Sequence, residues 1–226
     1  MKSLLLGLTL AGSLLQAQDV PNVDSVFGRG EGINGTVHAI AMQTDGKTLI
    51  GGEFSAVNGV PRQNLARLNA DGSLDPEFVN QFTFGANGPV YAIAVQADGN
   101  IIVGGNFSTV GNAQRTDIAR LDATGAADPK FGGPGEDFGT NGMVQAISIQ
   151  ADGKIIIGGS FNVVAGQQCR NLARLSAEGK PDTAFVSPSL INGTVRAIAI
   201  SADGLVVAGG AFSTATSPAR SILRLP

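Results

Sequence analysis

One thirteen-residue stretch occurs four times in this chain of 226 residues and constrains its fold more than any other feature. The copies read MQTDGKTLIGGEF, VQADGNIIVGGNF, IQADGKIIIGGSF and ISADGLVVAGGAF, and they begin at Met42, Val95, Ile149 and Ile200. Their Asp-Gly pairs are 53, 54 and 51 residues apart. A fixed period of this length indicates a repeat architecture, in which each unit buries its apolar surface against the next one.

Each unit is expected to consist of β-strands. The run before each Asp-Gly pair, such as VHAIAMQ, is β-prone, and Asp-Gly is a strong hairpin signal because glycine accepts positive φ. The return strand carries two adjacent glycines, which suit a bulge or a close approach by a neighbouring backbone. A connection of ten or eleven residues then leads to a third strand, as in NLARLNA. Three to four antiparallel strands per unit predict a β-propeller.

Alternation along the first strand predicts which residues share a face. In the first unit these are Val37, Ala39 and Ala41. Alanine is a poor strand residue unless something packs closely on it. We therefore expect the first strands to crowd around a central axis.

A second landmark is an arginine followed eight residues later by an acid and, three residues after that, by phenylalanine. The expected structural pairs are Arg67 with Asp75, Arg120 with Asp128, and Arg174 with Asp182. In the fourth unit Arg224 has no acid after it, whereas Asp24 and Phe27 stand near the start without an arginine before them. We therefore expect the N-terminal segment to complete the last unit, pairing Asp24 with Arg224, and so to close a ring that hides its sheet edges.

The first residues, MKSLLLGLTLAGSLLQAQ, are typical of a cleaved secretory signal, with a basic residue, twelve apolar positions and a small residue at Ala17. Cleavage near Ala17 would leave an exported protein, secreted, periplasmic or at the cell surface, without membrane insertion. The predicted organisation is a signal peptide at 1–17 and a single β-propeller domain at 18–226, with repeat units at about 37–78, 90–131, 144–185 and 195–226 plus 24–27.

The composition narrows the classes of partner. The net charge is −3, and lysines and arginines are scattered, which disfavours nucleic acid and anionic membrane surfaces. One cysteine, Cys169, cannot form an internal disulfide, and we interpret it as a neutral loop residue rather than a nucleophile. The 32 glycines, with valine, isoleucine and alanine in short runs, favour β structure.

The composite pattern VxAIAxQxDGKIxxGGxF…ARLxxDGxxDxxF resembles the delta-60 repeat, a bacterial module regarded as β-propeller-like. Four copies match over nearly all of residues 24–226. The resemblance implies a bacterial origin and a propeller fold. It implies no reaction and brings no catalytic residues.

The sequence offers little for catalysis or cofactor binding. The Asp-Gly acids are best interpreted as turn formers because each recurs where a hairpin must reverse. In NADGSLD the oxygen-bearing residues Asn69, Asp71, Ser73 and Asp75 alternate as in a calcium loop. The counterparts DATGAAD and SAEGKPD lose several of those oxygens, so no metal and no cofactor is predicted.

The connections between units vary most, and insertions in repeat proteins collect on one face, often the binding face. The residue two places after each connection differs in every unit, and the three phenylalanines outside the repeat positions lie in the two longest connections. The candidate ligand or partner face is therefore His38, Tyr91, Gln145 and Arg196 with Phe82, Phe84 and Phe138. The alternative is that these strand ends are merely solvent-facing and that the phenylalanines fill gaps between units.

These observations favour an exported, non-enzymatic β-propeller that binds or scaffolds an unknown protein or small ligand. A first alternative is a cell-surface interaction block that forms a homodimer and so a larger propeller. A second is a propeller-based hydrolase acting on glycans, although Glu136 and Asp137 are the only adjacent acids in the variable connections.

Overall fold

The computed structural model describes residues 30–78, 85–111, 113–133, 138–186, 191–213 and 222–225. Within these residues every helix or strand element is a β-strand, which confirms the all-β prediction. The strands are β1 (Thr36–Met42), β2 (Thr48–Glu53), β3 (Ala56–Val57), β4 (Val60–Pro61), β5 (Leu65–Leu68), β6 (Val90–Val95), β7 (Ile101–Gly105), β8 (Thr109–Val110), β9 (Ala113–Gln114), β10 (Ile118–Leu121), β11 (Val144–Ile149), β12 (Ile155–Gly159), β13 (Val163–Val164), β14 (Gln167–Gln168), β15 (Leu172–Leu175), β16 (Thr194–Ile200), β17 (Val206–Ala211) and β18 (Ile222–Leu225). A search of the same residues finds no helix long and apolar enough to cross a membrane.

Each unit forms one three-stranded antiparallel sheet. The four sheets are β1–β2–β5, β6–β7–β10, β11–β12–β15 and β16–β17–β18. The first two strands of each sheet join at the Asp-Gly pair, where the glycine has φ of 82–87°. In the first unit Asp45 Oδ1 accepts a hydrogen bond from the Lys47 backbone N–H at 3.0 Å. The predicted hairpins are therefore present, and the acid fastens the turn.

A short ribbon of two-residue strands lies between the second and third long strands in units 1 to 3. The ribbons are β3–β4, β8–β9 and β13–β14. In unit 1 its turn is Asn58-Gly59, with φ of 50° and 75°, as a type I′ hairpin requires. The sequence predicts only a connection here, because two-residue strands are too short to show a period.

Every first strand contains a β-bulge at its second or third residue. The bulge falls between Val37 and Ala39 in β1, and at the equivalent place in β6, β11 and β16. An extra residue in a strand reverses the alternation beyond it. The expectation that Val37 shares a face with Ala39 and Ala41 is therefore wrong.

The corrected faces explain how neighbouring units pack. A side chain at Gly51 would meet Val90 and Ile93 of the next unit, so these two residues share a face and lie on the glycine. Ala41 packs in the same cluster from the other side of the junction. The second glycine of the pair, Gly52, leaves room for the backbone carbonyl of Thr36. Both predicted roles of the paired glycines are present.

The units fan out from their first strands. Consecutive first strands contact one another, and each second strand contacts the first strand of the next unit. Hydrophobic clusters follow these junctions and join units 1 and 2, units 2 and 3, and units 3 and 4. This arrangement of radial sheets around converging inner strands is that of propeller blades.

The predicted closure of the ring is not seen in the described residues. The outward faces of the first and fourth sheets are largely exposed at Ile40, Met42 and Ile222. The predicted closing segment, with Asp24 and Phe27, lies outside the described residues. Arg224 instead donates to Asp203 Oδ2 in its own unit. The pair of Asp24 with Arg224 stays a prediction.

In units 1 to 3 the arginine of the third strand forms a buried or half-buried pin, by which we mean its ion pair with the acid and its stacking on the phenylalanine. Arg67 Nε donates to Asp75 Oδ2 at 2.8 Å, and its guanidinium carbon lies 4.6 Å from the ring centroid of Phe78. The other two pins are Arg120 with Asp128 and Phe131, and Arg174 with Asp182 and Phe185. The constant spacing of arginine, acid and phenylalanine thus has a geometric cause.

The pins also tie consecutive units together. Arg67 Nη1 donates to the Ala123 carbonyl of unit 2 at 2.6 Å, and Arg120 Nη1 donates to the Ala177 carbonyl of unit 3 at 2.9 Å. Burial opposes the charge of Asp75, but hydrogen bonds from Lys47, the Glu77 N–H and Arg67 outweigh it and lower its pKa to about 2. Asp75 is therefore ionised at neutral pH.

Candidate functional site

The bulges place the four variable residues at one end of the inner strands. His38, Tyr91, Gln145 and Arg196 are the extra residues of β1, β6, β11 and β16. Because consecutive first strands lie side by side, these residues follow one another along the same end of the array. A bulge re-aims its side chain out of the regular pleat. We call this set the bulge row.

The first two members of the bulge row are in contact. The rings of His38 and Tyr91 are 5.1 Å apart at their centroids and meet edge to face. His38 Nε2 lies 3.2 Å from Glu53 Oε1, and Tyr91 Oη lies 3.5 Å from the same oxygen. The carboxylate accepts from both rings, so Glu53 joins units 1 and 2 at this end.

Glu53 is a site residue that the sequence analysis missed. It stands just before the repeat phenylalanine, where the other units have Asn106, Ser160 and Ala211. Variation at this position was visible in the sequence and was a usable signal. The side chains of Glu53 and His38 are 53% and 32% exposed, so both remain accessible.

The surroundings of Tyr91, including Glu53, favour the protonated phenol over the phenolate. Burial, and then the charge and hydrogen bond of Glu53, raise the pKa of Tyr91 above its ordinary value. Tyr91 therefore keeps its proton and can donate to Glu53 or to a ligand.

The other two members of the bulge row differ in exposure. Gln145 is half-buried and Arg196 is exposed. At the unit 1 end of the row, the Glu53 carboxylate beside His38 and Tyr91 is a hydrogen-bond acceptor. At the unit 4 end, Arg196 is a cation. A gradient of this kind suits a polar ligand with two unlike ends.

The phenylalanines of the predicted face have a different outcome. Phe82 and Phe84 lie outside the described residues. Phe138 is buried, and its ring meets that of Phe131 edge to face with centroids 5.2 Å apart. This burial agrees with the alternative that the extra phenylalanines fill gaps between units, and a ligand contact by Phe138 stays a prediction.

The Asn-Gly of each connection has a structural role that the sequence analysis did not assign. Asn34 Oδ1 accepts from the backbone N–H groups of Ser55 and Ala56, at 2.9 and 2.8 Å. Asn87, Asn141 and Asn192 repeat these contacts in the other units. Each asparagine thus fastens the start of its unit to the strand that leads into the ribbon.

Shallow polar depressions lie beside the bulge row. One, between units 1 and 2, is lined by Glu53, Asn34, Gln63, Asn64 and Asn87 among others. A second, between units 3 and 4, is lined by Asn141, Ser160, Asn171 and Asn192 among others. Amide and carboxylate groups there offer both donors and acceptors.

A further cavity lies on unit 3, beneath the third strand. It is lined by Cys169, Arg174, Asp182 and Phe185 among others. Burial raises the pKa of the Cys169 thiol to about 11, so it is protonated at neutral pH and a weak nucleophile. Arg174 and Asp182 are paired with each other, with Nε 2.9 Å from Oδ2. The interpretation of Cys169 as a neutral residue agrees with this environment.

The acidic residues of the repeat are held by the fold. Asp71, considered above as part of a calcium loop, accepts from the backbone N–H and hydroxyl of Ser73, at 2.9 and 2.6 Å. Among the described residues, no group of three or more His, Cys, Asp or Glu side chains is arranged to hold a metal ion.

A family model matches three of the four units. Residues 43–78, 96–131 and 150–185 match the model described as a domain of unknown function (DUF5122) β-propeller. No curated protein matches this chain.

Solved structures with a similar fold include the WD40 β-propeller domain of Doa1, at a TM-score of 0.53 and 15% identity, covering 85% of this chain and 51% of that chain. Others are the virginiamycin B lyase of Staphylococcus aureus (TM-score 0.48, 13% identity, 84% and 55% covered) and a streptogramin B lyase (0.49, 16%, 84% and 54%). The chain spans about half the length of these structures. The family model and the Doa1 likeness together support a β-propeller repeat family for this chain.

Proposed function

We propose that this chain is an exported, non-enzymatic binding module, built from β-propeller units of the delta-60 type, that holds a polar segment of a partner protein along the bulge row. The observation that carries the proposal is the bulge itself. In every unit it presents one residue outside the hydrogen-bonded ladder, and that residue differs from unit to unit.

The contacts around Glu53 support a recognition role. Glu53 is half exposed and already gathers His38 and Tyr91, so its carboxylate is oriented before any ligand arrives. A pre-oriented acceptor loses less conformational entropy on binding than a free side chain. Arg196, at the far end of the row, adds a cation that suits an acidic group.

The extent of the surface favours a protein segment over a small molecule. The bulge row crosses four adjacent first strands, and polar depressions flank it at two unit junctions. A small ligand would fill one junction, whereas an extended segment can contact residues of all four units. The Gln145 amide in the row can donate to and accept from a peptide backbone.

Among the described residues, the acids of the repeat and the cysteine are engaged in structure. Asp75, Asp128 and Asp182 are held in the pins, and the Asp-Gly acids fasten turns. The Cys169 thiol is kept protonated by burial. These engagements support a binding role rather than a catalytic one.

The test is selection from a displayed peptide library, followed by affinity measurement on purified variants. Glu53→Gln and Tyr91→Ala should each weaken the selected peptide at least tenfold, about 1.4 kcal/mol, without lowering the melting temperature. Gln114→Ala, an exposed amide on the outer ribbon, is the matched control and should bind normally. Unchanged affinity in the Glu53 and Tyr91 variants would place the ligand elsewhere.

The same variants address the enzyme alternative. A panel of glycan and ester substrates incubated with the unaltered protein should show no turnover. Hydrolysis that Glu53→Gln abolishes would overturn the proposal in favour of a hydrolase.

Export is part of the proposal and has its own measurement. N-terminal sequencing of the protein recovered from the medium or envelope of the native host should begin near Gln18. Recovery only from the cytoplasm, with the first residues intact, would contradict it.

A further inference from the structure

Three junctions between consecutive units have the same construction. We call the side of a unit that covers the preceding unit its leading face, and the opposite side its trailing face. On the leading face of unit 2, Val90 and Ile93 cover Gly51 of unit 1. Val144 and Ile147 cover Gly104 in the same way, and Val195 and Ile198 cover Gly158.

The trailing faces supply the other half of each junction. In unit 1 this half is formed by Leu49 and Leu65, which are fully buried in one cluster with Val90. The equivalent pairs are Ile102 with Ile118 and Ile156 with Leu172, again fully buried in clusters that contain the valine of the next unit. Each junction therefore joins a fixed apolar leading face to a fixed apolar trailing face.

Among the described residues, one leading face and one trailing face have no other unit packed on them. On the leading face of unit 1, Ile40 is 67% exposed and Met42 is 73% exposed. On the trailing face of unit 4, Ile222 is 66% exposed, whereas its equivalents Leu65, Ile118 and Leu172 are fully buried. Contiguous exposed apolar residues of this kind mark interaction sites.

We propose that two copies of this chain associate head to tail, with the leading face of unit 1 in each copy packed on the trailing face of unit 4 in the other, to form one closed ring of eight units. The two exposed faces are complementary because they carry the two halves of a junction that the chain already makes three times. A head-to-tail contact generates a closed ring when its rotation closes, and otherwise an open filament.

A second copy provides an arc of identical curvature, so its units can continue the array of radial sheets around the same central channel.

The charges at the new junctions are also compatible. Within the chain, His38 and Tyr91 meet across the junction of units 1 and 2. The same geometry across the proposed junction places Arg196 of one copy beside His38 of the other, whose Nε2 is bound to Glu53. The cation of Arg196 thus approaches the Glu53 carboxylate that His38 contacts. This inference rests on the sheet junctions and does not depend on the proposed ligand.

Mass in solution is the first test, by sedimentation equilibrium and native mass spectrometry on the unaltered protein. Two copies per particle are expected, with no larger species as concentration rises, because a closed ring leaves no free face. A single copy at every concentration, as would follow if other residues of the same chain cover both faces, would overturn the proposal. An open series of larger particles would also overturn it.

A charge-swap pair tests the location of the contact. Met42→Lys alters only a leading face, and Ile222→Glu alters only a trailing face. Because both residues are exposed, neither substitution should lower the melting temperature of a single copy. Each variant alone should sediment as one copy. An equimolar mixture should regain two copies, because one junction then pairs Lys with Glu and the other is unaltered.

The matched control is Val60→Lys on β4 of the outer ribbon, which is exposed but on neither face. It should remain a two-copy particle. If Met42→Lys and Ile222→Glu also remain paired, or if their mixture fails to pair, the proposed contact is wrong.

Discussion

The arginine of the third strand and the extra residue of the first strand occupy fixed places in the same repeat, yet they behave in opposite ways. The arginine is the same in all four units, and in units 1 to 3 it is held by an acid, a phenylalanine ring and, twice, a carbonyl of the next unit. The bulge row has four different residues on one backbone geometry. The difference shows that residues with several partners inside the chain are fixed by packing, whereas the bulge leaves residue type free.

The largest effect is expected at the pin of unit 1. Asp75→Ala should lower the free energy of unfolding by about 3–5 kcal/mol, because it leaves Arg67 and Lys47 without their buried partner. Denaturant unfolding measures the loss. Asp71→Ala, an exposed turn acid nearby, is the control and should have a far smaller effect. Equal losses of unfolding free energy in the two variants would show that the pin stabilises the fold no more than an exposed turn acid does.

The same variant has a defined pH dependence. The pKa of Asp75 is lowered to about 2, so its stabilisation is complete above about pH 4 and is lost as the pH falls towards 2. The difference between the unaltered protein and Asp75→Ala should therefore shrink between pH 5 and pH 2. A constant difference over that range would show that packing, and not charge, causes the loss.

Phe138 sharpens the comparison because it lies in a variable connection but is buried. Phe138→Ala should cost about 3 kcal/mol, since it removes a buried ring that packs on Phe131. Val186→Ala, an exposed connection residue, should change stability by less than about 0.5 kcal/mol. A small loss of stability with weakened peptide binding would instead return Phe138 to the ligand face.

Asp117 is a buried residue at a repeat position that is not constant, since units 1 and 3 have Asn64 and Asn171 there. Burial raises its pKa to about 6 despite hydrogen bonds from the Phe107 N–H and from Thr140. The folded state therefore disfavours the carboxylate, and stability falls as the pH rises from about 4 to 6.

Asp117→Asn should consequently raise the free energy of unfolding by about 1–2 kcal/mol at pH 7.5 and have little effect at pH 4, because the amide keeps the acceptor for Phe107. Thermal melts at the two pH values test this. Asp122→Asn, at a turn acid whose pKa is lowered by its turn hydrogen bonds, should act in the opposite direction. Destabilisation by Asp117→Asn at pH 7.5 would contradict the assignment.

The smallest effect on stability is expected in the bulge row. Gln145→Ala should change the free energy of unfolding by less than about 0.5 kcal/mol, because the bulge places this partly exposed residue outside the hydrogen-bonded ladder. The affinity for a selected peptide should fall nevertheless. A loss of stability comparable to that of Phe138→Ala would show that the bulge residue carries packing as well.

Much of the fold could be predicted from the sequence, because the strands and hairpins depend on signals from residues close together in the chain. The Asp-Gly pairs predict the hairpins, and the constant spacing of Arg67 and Asp75 predicts their ion pair. The stacking of Arg67 on Phe78 was not predicted. The ribbon at Asn58-Gly59 was missed although its turn signal was present, since its strands have two residues each.

The rest depended on contacts between distant residues. A bulge has no composition of its own, so the faces of Val37 and Ala39 could not be assigned from alternation alone. Phe138 is buried because it packs in a cluster with Ile102 and Ile118 of unit 2, which are distant in the chain. The role of Glu53 appears only when units 1 and 2 are brought together.

The extra residue of each first strand also bears on how such a chain can evolve. Since it sits outside the ladder, a codon change there leaves the strand register untouched. A gene with several such codons can alter its specificity one step at a time, each intermediate remaining folded. Duplicating a unit would then add one more independently variable position to an unchanged scaffold.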